Sequence, residues 1–157
     1  MNEITPLPAI DTLLPHQAPM LLLDRLCAVD ASRACCETRV GARPALPRDG
    51  EGNLPGWVGI ELMAQTIAAW AGMQGRLRGE PVRIGMLLGT RKYRCQPTSF
   101  AVGALLTIEA SCLLQDGGMA SFECRILQDG RECATARLST YQPAPGELSD
   151  LLAKDVS

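Results

Sequence analysis

One long helical pattern, at about residues 57–77, stands in a chain whose other regular segments have the composition of β-strands. The helix is almost wholly apolar and follows a Pro-Gly pair, Pro55 and Gly56. An apolar helix must be covered on most of its sides to keep its surface from water. A curved antiparallel sheet wrapped around one long central helix provides that cover, so we expect an α+β chain with the hot-dog fold.

The strands of this sheet are predicted on both sides of the helix. Two precede it and are joined by Asp30, Ala31 and Ser32; four follow it, and Asp-Gly pairs typical of tight hairpins join the last three. The six segments are residues 20–30, 33–40, 82–95, 104–114, 119–128 and 132–142. We also expect a short helix over residues 5–14, with Thr5 as its N-cap, and a loop over residues 41–55.

Length and composition fit one domain. The chain has 157 residues, of which 46% are hydrophobic, so residues 1–143 can form a single hot-dog domain with its own core. Residues 144–157 are predicted to be a mobile C-terminal tail with a helical turn near Leu148–Leu152. A lone sheet of this kind leaves one edge strand open, which favours pairing into a dimer.

Charge and cysteine content exclude several classes of protein. The formal net charge of −2 favours neither nucleic acid nor an anionic membrane as a partner, and no run is long and apolar enough to span a bilayer. The start of the chain lacks the pattern of a signal peptide. Seven cysteines without a CxxC pair disfavour both a disulfide framework and a zinc site. We therefore expect reduced cysteines in a cytoplasmic protein.

The helix carries an acid, Glu61, where its neighbours are apolar. Placed in the second turn, Glu61 would be partly desolvated, which favours a protonated carboxyl able to act as a general acid. Gln65, four residues on, lies on the same face and could orient it. The amides of Gly56 and Trp57 at the helix start could polarise a bound carbonyl. The alternative is that Glu61 and Gln65 mark the wetter stripe of an amphipathic helix.

The stretch PGWVGIELMAQ resembles the helix start of the 3-hydroxyacyl-[acyl-carrier-protein] dehydratases, the FabZ/FabA-type hot-dog enzymes. In that family a catalytic Glu or Asp lies six residues after the proline of a Pro-Gly pair and is followed by a Gln. LLPHQAPMLLLDR, at residues 13–25, is similar to the family's Leu-Pro-His segment. On VGIELMAQ, RIGMLLGTRKYRC and STYQP, the chain most resembles the dehydratase-like proteins of aryl polyene-type pathways.

The resemblance implies a reaction and a partner. It implies loss of water from a 3-hydroxyacyl thioester to give a trans-2-enoyl thioester, with Glu61 protonating the departing hydroxyl and no metal or organic cofactor. The acyl chain would be carried on the phosphopantetheine arm of an acyl carrier protein and lie between Met63, Ile67 and the sheet. Because hot-dog sites of this kind lie at subunit interfaces, the resemblance also implies a homodimer or higher oligomer.

One catalytic residue of the family is missing. Its histidine, in a Gly-His-Phe-Pro-Gly loop, would fall at Pro47, and the single histidine of the chain is His16. His16 is either structural, bonding the last carbonyls of the short N-terminal helix, or a replacement base. As base, it could face Glu61 from another subunit.

The missing histidine keeps two further interpretations open. The chain could be a hot-dog thioesterase whose helix carboxylate activates water, or a non-catalytic partner of a complete dehydratase in a heteromer.

Six basic residues could form a docking face for a carrier protein or an ordinary solvated face. They are Arg76, Arg78, Arg83, Arg91, Lys92 and Arg94.

Overall fold

A computed structural model describes residues 6–41, 46–144, 146–147, 149–150 and 153. In these residues one long α-helix accompanies eight strands. In chain order the elements are β1 (Arg25–Val29), β2 (Arg33–Arg39), β3 (Leu54–Pro55), α1 (Val58–Leu77), β4 (Met86–Cys95), β5 (Ser99–Phe100), β6 (Leu105–Asp116), β7 (Met119–Gln128) and β8 (Arg131–Tyr141).

Six strands form one antiparallel sheet in the order β1-β2-β6-β7-β8-β4, while β3 and β5 pair separately. Helix α1 packs against this sheet, and its contacts extend to every one of the six strands. The prediction of an α+β hot-dog fold is confirmed. The division of the chain at residue 143 stays a prediction.

Side chains of the sheet alternate between the helix and the outside. In β7, Phe122, Cys124 and Ile126 are buried while Glu123 and Arg125 are exposed, as a period of two requires. The buried face meets α1, where Trp70 contacts Phe122 edge to face with ring centroids 5.4 Å apart. The sheet therefore offers the helix a continuous apolar surface.

Two features of α1 fix its place. Tyr93, on β4, donates its hydroxyl to the carbonyl of Gly56, directly before the helix. At the other half of the helix, Gly72 lies so close to the N-terminal segment that a Cβ there would overlap the carbonyl oxygen of Leu13. The helix is thus held between β4 on one side and residues 13–16 on another.

The N-terminal prediction was wrong in its extent. Residues 6–14 contain one 3-10 turn, Ile10–Thr12, and not a helix over residues 5–14; Thr5 lies outside the described residues. A residue that precedes a proline avoids helical dihedrals, and Leu7 and Leu14 each precede a proline. A helical turn can therefore form only in the stretch between these two prolines.

Other boundaries also differ, among them the start of the strand predicted over residues 82–95, which begins at Met86. The first strand begins at Arg25 and not at residue 20, and the predicted loop over 41–55 ends in a strand, since Leu54 and Pro55 pair with Phe100 and Ser99. In the tail, residues 147, 149, 150 and 153 are helical, whereas Leu148 and Leu152 lie outside the described residues. The mobility of the tail stays a prediction.

Strand β4 forms one edge of the sheet and is exposed along most of its length. Its start and the approach to it carry exposed large apolar side chains, namely Val82, Ile84, Met86, Leu87 and Leu88. An open edge with apolar side chains is suited to pairing with another subunit, and the expected dimer stays a prediction.

No helix among the described residues has the length and hydropathy to cross a bilayer.

Candidate active site

Glu61 is the fourth residue of α1 and lies in its first turn, one turn earlier than predicted. Its side chain is 50% exposed. The apolar neighbours expected to desolvate it, such as Leu62 and Met63, turn into the core instead. Half of the Glu61 side chain therefore remains open to solvent in the single chain, and its role as a partly desolvated acid stays a prediction.

Gln65 orients Glu61, as expected from the helical spacing. Its Nε2 donates to Glu61 Oε1 at 3.0 Å and to the carbonyl of Met20 at 2.8 Å, while its Oε1 accepts the amide of Leu22 at 2.9 Å. The side chain is fully buried, and both of its amide hydrogens are already used. Gln65 thus positions the acid and leaves no amide hydrogen free for a ligand.

His16 lies beside Glu61 in the same chain. Its Nε2 is 3.7 Å from Glu61 Oε1, and its buried Nδ1 has no hydrogen-bond partner among the described residues. The 3-10 turn ends at Thr12, and no contact of His16 with its carbonyls is found in the described part of the chain. The geometry thus favours the chemical interpretation of His16 over the structural one, within one subunit.

The two backbone amides proposed at the helix start differ in availability. The Gly56 amide donates to the carbonyl of Thr98 at 2.8 Å, so its expected role in polarising a carbonyl is corrected. A Cβ at this position would lie 2.5 Å from that same oxygen, which shows how closely the two backbones meet. The amide of Trp57 has no partner within the described residues and remains a candidate.

The loop that should carry the family histidine is built differently. Pro47 is exposed, and the turn after it is organised by Asp49, whose Oδ1 accepts the amides of Glu51 and Asn53. This is a side-chain-capped turn without an ionisable base at the expected slot. His16 is therefore the histidine available to Glu61.

A cavity of about 170 Å³ joins the acid to the exposed edge of the sheet. Glu61 and His16 line it together with Ile67 from α1, whereas Met63 is wholly buried and does not line the expected acyl path. Four residues that were not predicted to lie near Glu61 also line the cavity. They are Arg83, Thr140, Tyr141 and Gln142. Only the pairing of β4 with β8, some fifty residues apart in sequence, brings them to the site.

The six residues of the predicted basic face make different contacts in the structure. Arg78 pairs with Glu80 at 3.2 Å, and Arg83 turns to Gln142 beside the cavity. The three basic residues of β4, Arg91, Lys92 and Arg94, instead line a groove of about 720 Å³ with outward residues of the sheet. Among the described residues these basic side chains therefore do not share one surrounding, and their role in docking a carrier protein stays a prediction.

Comparison with known proteins identifies a family and a solved structure that this chain resembles. Residues 8–153 match the ApeP-like family, whose members are described as ApeP dehydratase. A chain of the dehydratase heterocomplex ApeI:P from Xenorhabdus doucetiae is 40% identical, with a TM-score of 0.86; the match covers 94% of this chain and 99% of that one.

Other solved structures share the fold alone. The PaaI protein of the E. coli phenylacetic acid degradation operon is 16% identical, with a TM-score of 0.59, over 74% of this chain and 80% of that one. A hypothetical thioesterase with coenzyme A from Streptococcus pneumoniae is 16% identical, with a TM-score of 0.56, over 76% and 85%. Comparison with curated proteins found no match.

Proposed function

The chain belongs to the ApeP-like dehydratase family, and we propose that it eliminates water from a 3-hydroxyacyl thioester to give a trans-2-enoyl thioester. The substrate arrives on the phosphopantetheine arm of an acyl carrier protein in the cytoplasm, in aryl polyene-type synthesis. The observation that carries this proposal is the juxtaposition of His16 and Glu61, 3.7 Å apart, with Gln65 fixing the acid.

In the proposed reaction, His16 and Glu61 act on two neighbouring carbons of the substrate. His16 removes a proton from C2 while Glu61 protonates the hydroxyl leaving C3, so the C3–O bond breaks and the C2–C3 double bond forms. The amide of Trp57 holds the thioester carbonyl, which stabilises charge developing there. The proton taken by His16 then returns to Glu61 across their contact, and the pair is restored for the next turnover.

We further propose that the active form is an assembly. The relative from Xenorhabdus doucetiae belongs to a dehydratase heterocomplex, and the half-exposed Glu61 and the open edge of β4 both leave room for a second subunit. That subunit is either a copy of this chain or a second hot-dog protein. By covering β4 it would close the cavity that Glu61 lines together with Met86 and Leu87, and so exclude water from the reaction.

The test is mass spectrometry of a 3-hydroxyacyl carrier protein after incubation with this chain, alone and with a second hot-dog subunit from the same pathway. Dehydration lowers the mass of the acyl arm by about 18 units. We expect Glu61→Gln and His16→Ala to abolish this loss and Glu80→Gln, an exposed acid outside the cavity, to retain it. Retained dehydration in His16→Ala would make His16 structural.

Two results would replace the proposal. Release of the acyl chain as a free acid would identify a thioesterase, for which the exposure of Glu61 to water is the supporting observation. Full activity of a heteromer that contains Glu61→Gln, with an inert isolated chain, would identify a non-catalytic partner subunit. In that case the acid would serve the fold of α1 and not the reaction.

A further inference from the structure

The cavity that begins at Glu61 has a second polar end. Its middle is formed by small side chains one turn apart on α1, Ala64, Ala68 and Ala71. Glu61 and Ala71 are ten residues apart, which corresponds to about 15 Å along the helix axis. Gln142 also borders a depression with Ala71 and Trp70, so it lies beside the second half of the helix.

This second end offers hydrogen-bond donors. Arg83 Nη2 donates to Gln142 Oε1 at 2.8 Å, and its Nη1 donates to the carbonyl of Pro143 at 3.4 Å. Because the guanidinium has five donors and no acceptor, further N–H groups of Arg83 remain for a ligand. The oxygen of Gln142 faces Arg83, so its amide nitrogen adds two more donors.

The lining of the cavity carries opposite charges at its two ends. Among the described lining residues Glu61 is the one carboxylate, and Arg83 is the one permanent cation. Glu80 interacts with Arg83 but does not line the cavity, and the hydroxyl hydrogen of Tyr141 is donated to Glu147. A ligand that fills the cavity therefore meets an acid and an imidazole at one end, a narrow apolar middle, and a cation at the other.

We propose that Arg83, held by Gln142, binds an anionic or strongly hydrogen-bond-accepting oxygen of the ligand at the end of the cavity beside Ala71, which lies about 15 Å along α1 from Glu61. A ligand ending in a methyl group would cover the remaining N–H groups of the guanidinium without accepting a hydrogen bond from them, which is unfavourable. Arg83 thereby selects ligands with a polar oxygen at this distance. The inference rests on the proposed function only for the identity of the reacting end.

Two parts of the same substrate could provide that oxygen. One is a carboxylate or phenolic oxygen at the far end of the acyl chain; the other is the phosphate of the pantetheine arm. Both accept hydrogen bonds from a guanidinium, and phosphate and carboxylate match its planar geometry. The two sources differ in which side of the thioester extends along α1.

The experiment measures binding, by calorimetry, to the Glu61→Gln protein in its active assembly, so that no turnover occurs. Two matched pairs of 3-hydroxyacyl thioesters are compared. In the first pair, N-acetylcysteamine thioesters of equal length end in a methyl group or a carboxylate. In the second pair, the thiol is pantetheine or 4′-phosphopantetheine. Each pair is measured again with Arg83→Met added, and with Arg78→Met as an exposed-arginine control.

We expect one anionic probe to bind roughly tenfold more tightly than its neutral partner, since a hydrogen bond to a charged group contributes about that much. Arg83→Met should remove this gain and leave the neutral probes unchanged, whereas Arg78→Met should keep it. The pair that shows the gain identifies the source of the oxygen. The proposal is overturned if neither anionic probe gains, or if the gain survives Arg83→Met. A gain lost in Arg83→Met with no dehydration by the wild type would refute the proposed function alone.

Discussion

The close approach of Gly72 to the N-terminal segment predicts opposite effects for two glycine-to-alanine changes on one helix. In a helix, alanine is normally more favourable than glycine by about 0.5–1 kcal/mol. At Gly75 an added Cβ would meet nothing closer than Glu80 Cβ at 3.9 Å, so Gly75→Ala should gain that amount. At Gly72 the Cβ would overlap the carbonyl oxygen of Leu13, a backbone atom that cannot rotate away.

The steric cost at Gly72 belongs at the upper end of the usual range for overpacking, about 3 kcal/mol. Subtracting the helix gain leaves Gly72→Ala about 2 kcal/mol less stable than the wild type. For a domain of this size, 1 kcal/mol shifts Tm by about 2–4 °C, so Tm should fall by about 4–8 °C. Gly75→Ala should instead raise Tm by a few degrees.

The strain should also reach the active site. Relief of the overlap moves Leu13 away from α1, and His16, three residues on, moves with it and away from Glu61. Because the chain has one histidine, its imidazole signals in NMR report this directly. Thermal unfolding followed by circular dichroism tests the stability of both variants. A Gly72→Ala protein as stable as Gly75→Ala, with an unchanged histidine spectrum, would refute the close packing of residues 13–16 on the helix.

Two further predictions concern buried groups. Gln65→Leu removes the partners of the Met20 carbonyl and the Leu22 amide, so it should lower the free energy of unfolding in urea by about 2 kcal/mol or more; a loss below about 0.5 kcal/mol would contradict this. Burial raises the pKa of the Cys36 and Cys124 thiols to about 12. Since unfolded thiols ionise near pH 8.5, stability should fall as pH rises from about 9 to 12, by up to about 1.4 kcal/mol per pH unit and thiol. Urea unfolding at pH 8 and 10.5 should show a smaller loss for the Cys36→Ala, Cys124→Ala double variant; an equal loss would argue against the burial of these thiols.

The architecture could be predicted because it follows from local patterns. One apolar helix, strands with a period of two and two Asp-Gly turns specify which segments pair, and the turn after β7 has the positive φ values that such a pair adopts, 49° at Asp129 and 86° at Gly130. The 3-10 turn at Ile10–Thr12 was predicted too long because packing of Leu13 and Leu14 against the core competes with helical propensity. This tertiary packing and the prolines that follow Leu7 and Leu14 together set that boundary.

The site was predictable where its residues share a helix. The bond between Gln65 and Glu61 follows from a spacing of four residues. In contrast, the proximity of His16 depends on how residues 13–16 pack along α1, and the use of the Gly56 amide depends on Thr98, forty-two residues later. Such contacts leave no trace in local spacing, which is why the oxyanion role of Gly56 was predicted and the wall formed by Arg83 and Gln142 was missed.

The sheet order has a consequence for the kinetics of folding. β6, β7 and β8 are joined by tight turns, so their hairpins close short loops. Pairing of β2 with β6 must instead close a loop of tens of residues that contains α1, and pairing of β4 with β8 must close one that contains β6 and β7. We expect the three-stranded meander to form first and the strands that flank the helix to join it afterwards. The cavity, bounded by β4, would then be among the last parts to assemble. Pulse-labelled hydrogen exchange should protect β7 before β4 during refolding, and the reverse order would contradict this sequence of events.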